Sequence, residues 1–381
     1  MKVLHIVRQF SPSIGGLEAS VLNLASAQRK RFDIDAQVVS LNRLFDGKEI
    51  LPESEIISAI PVSRIPWRGS PRYPLAPTIL NHLHGADIVH VHAIDFFFDY
   101  LALTHPLHRK HLIASTHGGF FHTKQQSALK KCWFKTITRA SIRAYDRIIA
   151  CSHSDAELFE PVAGGRLALI ENGIDQSRFM GAASKVQTRN IICFGRFSEH
   201  KRIAGLFPMM RALGSKNPDW RLIVAGRESG QTVEQLSVLA ANEQVGERIR
   251  FNVNPSDAEL RMEIGKASYF ACLSSYEGFG LAAVEAMSAG LFPILSGIAP
   301  FRRLHDETNL GLIVDPAAPA AVAAALEASV LGDVDSYTKQ RARLVDSVRR
   351  YDWENAAAKY VRIYEDILSA PSKQPGLVFR Q

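Results

Sequence analysis

Few folds accept the stretch from Ala267 to Pro293. Ala267 to Leu273 is an unbroken apolar run and reads as a buried strand. Ser274-Ser275-Tyr276-Glu277-Gly278-Phe279-Gly280 follows, and its two glycines allow a tight backbone turn. From Leu281 the residues are good helix formers until Gly290, with Pro293 beyond. Strand, glycine turn and helix therefore follow one another. The first turn of such a helix offers free N–H groups and the positive end of the helix dipole, which suits a phosphate. Glu277 stands before the turn, where it can reach a sugar. Glu285, eight positions on, stands about two turns into the helix, where it can bond a ribose hydroxyl. Taken alone, the stretch also reads as an ordinary connection with two solvated glutamates, so the surrounding chain has to decide.

That chain alternates strand-like and helix-like segments in two successive series, the pattern of parallel sheets covered by helices. The first series holds Val3–Val7, Ile34–Leu41, Ile56–Ile65, Asp87–His92, Leu112–Thr116 and Arg147–Cys151 as strands. Gly15-Gly16 precedes a helix from Leu17, which lets a ligand or facing domain approach the backbone, or simply marks a loop. Asn172-Gly173-Ile174-Asp175 is a turn signal, and the weakly patterned segment Ser177–Asn190 reads as a linker. The second series begins at Ile191. The expected organisation is an N-terminal Rossmann-like domain over 1–180 and a second over 181–350. A helix over 351–370 packs back toward the first domain, and a disordered tail covers 371–381.

At 381 residues, 46% hydrophobic and 22% charged, the composition is that of a soluble globular protein. No run of 18 apolar residues could span a membrane. The four cysteines lack metal-type spacing, which points to a reduced, cytosolic chain. Residues 1–180 hold 21 Lys and Arg against 16 Asp and Glu, so most of the net +7 lies there and favours an anionic partner. Lys124 to Arg147 reads as one long helix with seven Lys or Arg and one acid, Asp146. Lys124, Lys130, Lys131 and Lys135 on it, with Trp133 and Phe134, suit an anionic membrane surface. A helix packed on the sheet with a solvated basic face is the other reading. No base-stacking motif interleaves the basic residues, which argues against nucleic acid.

Two domains of this kind leave a crevice at the carboxyl ends of their strands. Arg196 and Lys201 follow the strand Ile191–Phe194 and are the right cations for a diphosphate. His117, at a strand end beside Gly118-Gly119, is the histidine of the first domain placed for a ligand; the histidines of Asp87–His92 read as facing a covering helix. No DxD or histidine cluster suggests a catalytic metal. Glu277 and Glu285 with seven residues between them, Gly195-Arg196, Lys201, His117, Gly15-Gly16 and Asn172–Asp175 together resemble the retaining glycosyltransferases of family four. The resemblance runs over most of the chain. It implies an α/β GT-B fold, a nucleotide-sugar donor and no metal cofactor. It also implies that Glu277 faces the donor sugar, Glu285 holds the ribose and Gly16 backs the diphosphate. Arg196, Lys201 and the turn Gly278-Phe279-Gly280-Leu281 would hold the phosphates. More narrowly, Arg8–Gly16, Ser70–Pro74, Ile94–Phe97 and Thr116–Thr123 are similar to the α-mannosyltransferases of acetan and xanthan assembly. That similarity implies GDP-mannose as donor, a cellobiosyl-diphosphopolyprenol acceptor and a peripheral place on the inner face of the bacterial plasma membrane. A UDP-glucose-dependent transferase or a nucleotide-sugar epimerase of similar architecture stays open at this point.

Overall fold

The computed structural model describes residues 1–13, 15–45, 47, 49–118 and 132–370. It divides into two compact units. The first comprises Met1–Gly173 with Trp353–Gln381, the second Ile174–Asp352.

The first unit is built on an eight-stranded sheet. Its strands are β1 (Lys2–Ile6), β2 (Asp35–Leu41), β3 (Ser54–Ile57), β4 (Ile60–Ile65), β7 (Ile88–His92), β8 (His111–Ser115), β9 (Arg147–Ala150) and β10 (Leu167–Leu169), in the order β10-β9-β8-β7-β1-β2-β4-β3. All neighbours are parallel except β3 and β4. The expected strand Ile56–Ile65 is in fact this hairpin, because Ser58 and Ala59 both take positive φ and reverse the chain. A second small hairpin, β5 (Arg68–Ser70) and β6 (Tyr73–Leu75), occupies the proline-rich loop. One face of the sheet buries Val3, Ile88, Ile113 and Ile149 against the first helix, Gly16–Phe32, and the last, Trp353–Ser369. The other buries Val89, Val91 and Leu112 against Phe97, Phe98 and Phe159. The last helix turns Trp353, Ala357, Tyr360 and Tyr364 inward at helical spacing, and belongs to the first unit although it ends the described chain.

The second unit has six parallel strands, β11 (Asn190–Phe197), β12 (Arg221–Glu228), β13 (Ile249–Val253), β14 (Tyr269–Cys272), β15 (Phe292–Ser296) and β16 (Leu312–Val314). Their order is β13-β12-β11-β14-β15-β16. This is a doubly wound order, with its reversal between β11 and β14.

The segment Ser177–Asn190 is not a free linker. Phe179 is buried beside Phe194, and Gly181, Ala183 and Ser184 donate backbone N–H bonds to Ser288, Ala289 and Ala267. The chain passes between units earlier, at Gly173–Ile174, and returns at Asp352–Trp353. A Cβ on Gly173 would stand 2.7 Å from Trp353 Cα, so this close passage needs glycine.

Lys124, Lys130 and Lys131 lie outside the described residues, as do 371–381. The single helix expected up to Arg147 is not formed. Phe134–Thr138 is a wider π-type turn, Arg139–Ile142 is α-helical, and Arg147 opens β9. Phe134 does not face outward: it is buried, edge-on to Phe159. Trp133 is half-buried and donates Nε1–H to Asp99 at 3.3 Å. Lys135 is exposed. Phe134 is an anchor of the unit's core, because burying its large apolar area outweighs a surface role, whereas Trp133 packs edge-on against Tyr73 and stays partly exposed.

Candidate active site

The reversal between β11 and β14 makes the loops after these two strands diverge, which opens a crevice at their carboxyl ends. Both loops carry the residues singled out by sequence. After β14 the chain turns at Gly280, whose φ of 91° favours glycine. A Cβ there would also come 2.7 Å from Phe301 Cε1. Gly278 has no such constraint and faces open space, so its backbone is accessible. The helix Leu281–Ala289 starts directly after Gly280 with no side chain capping it. Its first N–H groups are therefore open to an anion. Phe279 packs edge-on against Tyr351.

After β11, Lys201 ends a short turn, Glu199–Lys201, closed by Arg202 at φ 49°. Ser275 N–H donates to His200 O at 2.8 Å, which ties this turn to the glycine loop. Lys201 Nζ then donates to Glu277 Oε1 at 2.6 Å, and Ser274 Oγ donates to the same oxygen at 2.7 Å. Burial lowers the affinity of Lys201 for its proton, but the Glu277 carboxylate outweighs this and its pKa is raised. The ammonium is fixed as a cation. Arg196 is exposed near the end of β11, with no side-chain hydrogen bond or ion pair to the described residues. Glu285 is partly buried on the glycine-capped helix and accepts from Arg178 Nη1 at 3.1 Å. Burial raises its pKa, with Arg178 pulling the other way. Arg178 also pairs with Asp257. It escaped the sequence reading because it sits in the segment taken for a linker. Arg196, Lys201, Glu277, Gly278, Phe279, Gly280, Leu281 and Glu285 thus all belong to the second unit, on the end of β11 and on the two loops and one helix that flank its strand reversal.

Gly15, Gly16 and His117 belong to the first unit. Gly15 precedes the first helix at an extended φ of −161°. A Cβ on Gly16 would meet nothing within 4 Å, and its φ is not positive, so the fold alone does not demand glycine there. Arg8 Nε pairs with the buried Asp95 at 2.8 Å, where β1 and β7 end side by side. Burial pushes the Asp95 carboxyl up to about 6, against the pull of Arg8. His117 takes φ 49° just after β8. Its Nε2 is 2.9 Å from His92 Nδ1 and its Nδ1 is 3.6 Å from Cys151 Sγ. Both ring nitrogens therefore point into the unit.

No histidine cluster stands out along the chain, yet the structure holds one. Parallel pairing sets His5 of β1 opposite His90 of β7, and His92 lies two residues further on the same face. Nitrogens of the three rings lie within 4.8 Å of one another. All six ring nitrogens are hydrogen-bonded to protein groups. Burial lowers the pKa of His5 and of His117 to about 4, and those of His90 and His92 fall well below the usual value. Between pH 6.5 and 4 the unfolded chain binds more protons at these histidines, so stability falls as pH falls through that window. For His5 alone the loss is about 3 kcal/mol. Asp95, raised to about 6, works in the opposite direction and offsets part of it. We expect the Tm to drop steadily from pH 6.5 to 4, with a shallower slope in His5→Asn if that variant folds. A flat profile in calorimetry contradicts the buried neutral cluster.

The fold and these loops define a class. The model for glycosyl transferases group 1 matches residues 176–350, and the model for glycosyltransferase family 4 matches residues 14–178. A sucrose-phosphate synthase structure from Thermosynechococcus elongatus superposes with a TM-score of 0.73 at 19% identity, over 97% of this chain and 100% of that one. A Rickettsia africae glycosyltransferase gives 0.73 at 16% identity, over 97% and 99%. These likenesses show the GT-B fold. The chain belongs to the family 4 glycosyltransferases. It is 52% identical, over 97% of its length and 94% of the relative's, to a GDP-mannose:cellobiosyl-diphosphopolyprenol alpha-mannosyltransferase of Komagataeibacter xylinus. A protein of the same description from Xanthomonas oryzae is 44% identical over 98% and 99%. A phosphatidyl-myo-inositol mannosyltransferase of Mycobacterium tuberculosis is 27% identical over 94% and 95%.

Proposed function

We propose that this chain is a retaining α-mannosyltransferase that moves mannose from GDP-mannose to a cellobiosyl-diphosphopolyprenol acceptor during exopolysaccharide synthesis. The observation that carries the reaction class is the Lys201–Glu277 pair set beside an uncapped helix N-terminus. The donor and acceptor rest on the 52% and 44% identical relatives. The diphosphate lies on the first turn of the helix Leu281–Ala289, with Arg196 and Lys201 neutralising it as it leaves. Glu277 orients the donor sugar and Glu285, steadied by Arg178, takes the ribose hydroxyls. In the first unit, Gly16 and His117 are the residues that the family resemblance assigns to the diphosphate and the sugar.

His117 in this arrangement is a neutral group with both nitrogens engaged, so it is poorly suited to accept the acceptor's proton. A departing phosphate oxygen takes that proton instead, and the new bond forms on the face the diphosphate leaves. The anomeric configuration is then kept without an enzymic nucleophile. The cations of Arg196 and Lys201 do the work a metal would do, so turnover is expected to survive a chelator. GDP and UDP release are to be measured with each nucleotide sugar and a lipid-linked cellobiose. GDP-mannose with retention of the α-configuration is the expected result, whereas preference for UDP-glucose would remove the mannose assignment. Nucleotide-sugar conversion without acceptor would favour an epimerase.

We also propose that the enzyme works on an anionic membrane surface. No helix among the described residues is long and apolar enough to cross a bilayer. The basic excess of residues 1–180 and the exposed Lys135 support adsorption instead. Replacing Lys130, Lys131 and Lys135 by Glu is expected to weaken sedimentation with phosphatidylglycerol vesicles and to leave GDP-mannose hydrolysis in solution intact. Unchanged sedimentation refutes the surface role.

A further inference from the structure

The buried histidines of the first unit belong to a hydrogen-bonded circuit that starts at Gln28. Gln28 Oε1 can only accept, so His5 Nε2–H donates to it at 2.7 Å. Neutral His5 then has a bare Nδ1, which accepts from His92 Nε2–H at 2.9 Å. His92 Nδ1 is left bare in turn and accepts from His117 Nε2–H at 2.9 Å. His117 Nδ1 accepts from the Cys151 thiol at 3.6 Å.

A second branch leaves Gln28 on the other side. Gln28 Nε2–H donates to the Tyr364 hydroxyl at 3.2 Å, and Tyr364 O–H donates to His90 Nδ1 at 2.7 Å. His90 Nε2–H donates to Ser115 Oγ at 2.8 Å, and Ser115 lies 3.2 Å from the Tyr360 hydroxyl. Along the path from Gln28 to His117 each donor follows from the one before it, so the orientation of the Gln28 amide selects the sense. Three strands, the first helix and the last helix contribute members, so the network ties elements far apart in sequence to one histidine.

We propose that this path is the positioning device for His117: Gln28, from the first helix, fixes that histidine's tautomer and ring plane through His5 and His92. The inference rests on the reading that His117 borders the donor sugar. A metal ion held by His5, His90 and His92 is the competing use of the same rings. It would have to break the circuit, because none of the six nitrogens is spare.

The test uses the full chain labelled with 15N-histidine. In the unaltered protein His117 is expected as a single Nε2–H tautomer. Gln28→Leu removes the acceptor. It should mix the His117 tautomers and lower kcat roughly tenfold to a hundredfold, the scale seen when a group that orients a histidine is lost, with KM for GDP-mannose little changed. Gln28→Glu still accepts from His5 and should restore both the tautomer and the rate. Should Gln28→Leu not fold, His5→Asn interrupts the same path and should also mix the tautomers. An unchanged His117 spectrum and rate in Gln28→Leu or His5→Asn, with only a lower Tm, overturns the proposal. So does stoichiometric Zn2+ uptake that removes the His5 and His92 N–H signals. His117→Ala separates the two levels: full turnover in that variant removes the sugar-facing reading, while the tautomer spectra of Gln28→Leu still judge the path.

Discussion

Lys201→Ala is expected to lower kcat for mannosyl transfer by about a hundredfold to a thousandfold, the range for removing one preorganised charge stabiliser from a developing anion. Two losses combine. The departing diphosphate loses a cation that is already fixed, so reorganisation must supply what geometry supplied before. Glu277 also loses its 2.6 Å partner and keeps Ser274 and the weaker Cys272 thiol, at 3.9 Å, on the same oxygen. Its side chain is 13% exposed, so solvent replaces little of that interaction. Glu277→Ala should fall by a similar factor, and the double variant by much less than the product, because the two residues act as a unit. Lys201→Arg is expected to recover only part of the rate, since a planar fork does not occupy the place of a compact ammonium. Steady-state GDP release with saturating GDP-mannose measures all four. Additive losses in the double variant would show that the pair is not one functional group, and wild-type turnover in Lys201→Ala would remove the site.

Gly226→Ala is the second large effect, and it acts through backbone rather than chemistry. Gly226 on β12 lies in register with Gly195 on β11, one residue before Arg196. Its φ is 152°, and a Cβ would stand 1.8 Å from Gly195 O. That atom is backbone in the middle of the sheet and cannot swing away as a side chain could. The two strands must part, at a cost of about 3 kcal/mol or more. Arg196 moves with β11, so donor affinity should fall along with the Tm. Gly278→Ala is the matched control, because its Cβ position is open and its φ unconstrained. It should fold normally and lose activity only if the diphosphate approaches that backbone. Denaturant unfolding and GDP binding by calorimetry distinguish the pair. A Gly226→Ala protein as stable as the parent would contradict the close approach of these strands.

Much of this was legible in the order of the residues. The glycine turn, the helix it starts and the carboxylates eight positions apart are local, and local spacing decides them through propensity and helical period. Two alternating series likewise announce parallel sheets, because apolar strand runs and amphipathic helices each have their own period. The inward face of the last helix could be read from Trp353, Ala357, Tyr360 and Tyr364 for the same reason.

What the sequence could not decide were relations between distant residues. Phe134 and Lys135 are adjacent and equally plausible at a surface, and only packing against Phe159 buries the first. Arg178 looked like linker until Phe179 beside it was seen seated against Phe194, which puts the guanidinium on Glu285. His5, His90, His92 and His117 are spread over more than a hundred residues; strand register brings the first three onto one face, and the turn after β8 sets His117 against His92. Periodicity along the chain therefore determined which elements form and where the phosphate-binding turn lies. Register between strands and the return of the last helix decided which side chains meet, because those contacts depend on long-range pairing that no local pattern encodes.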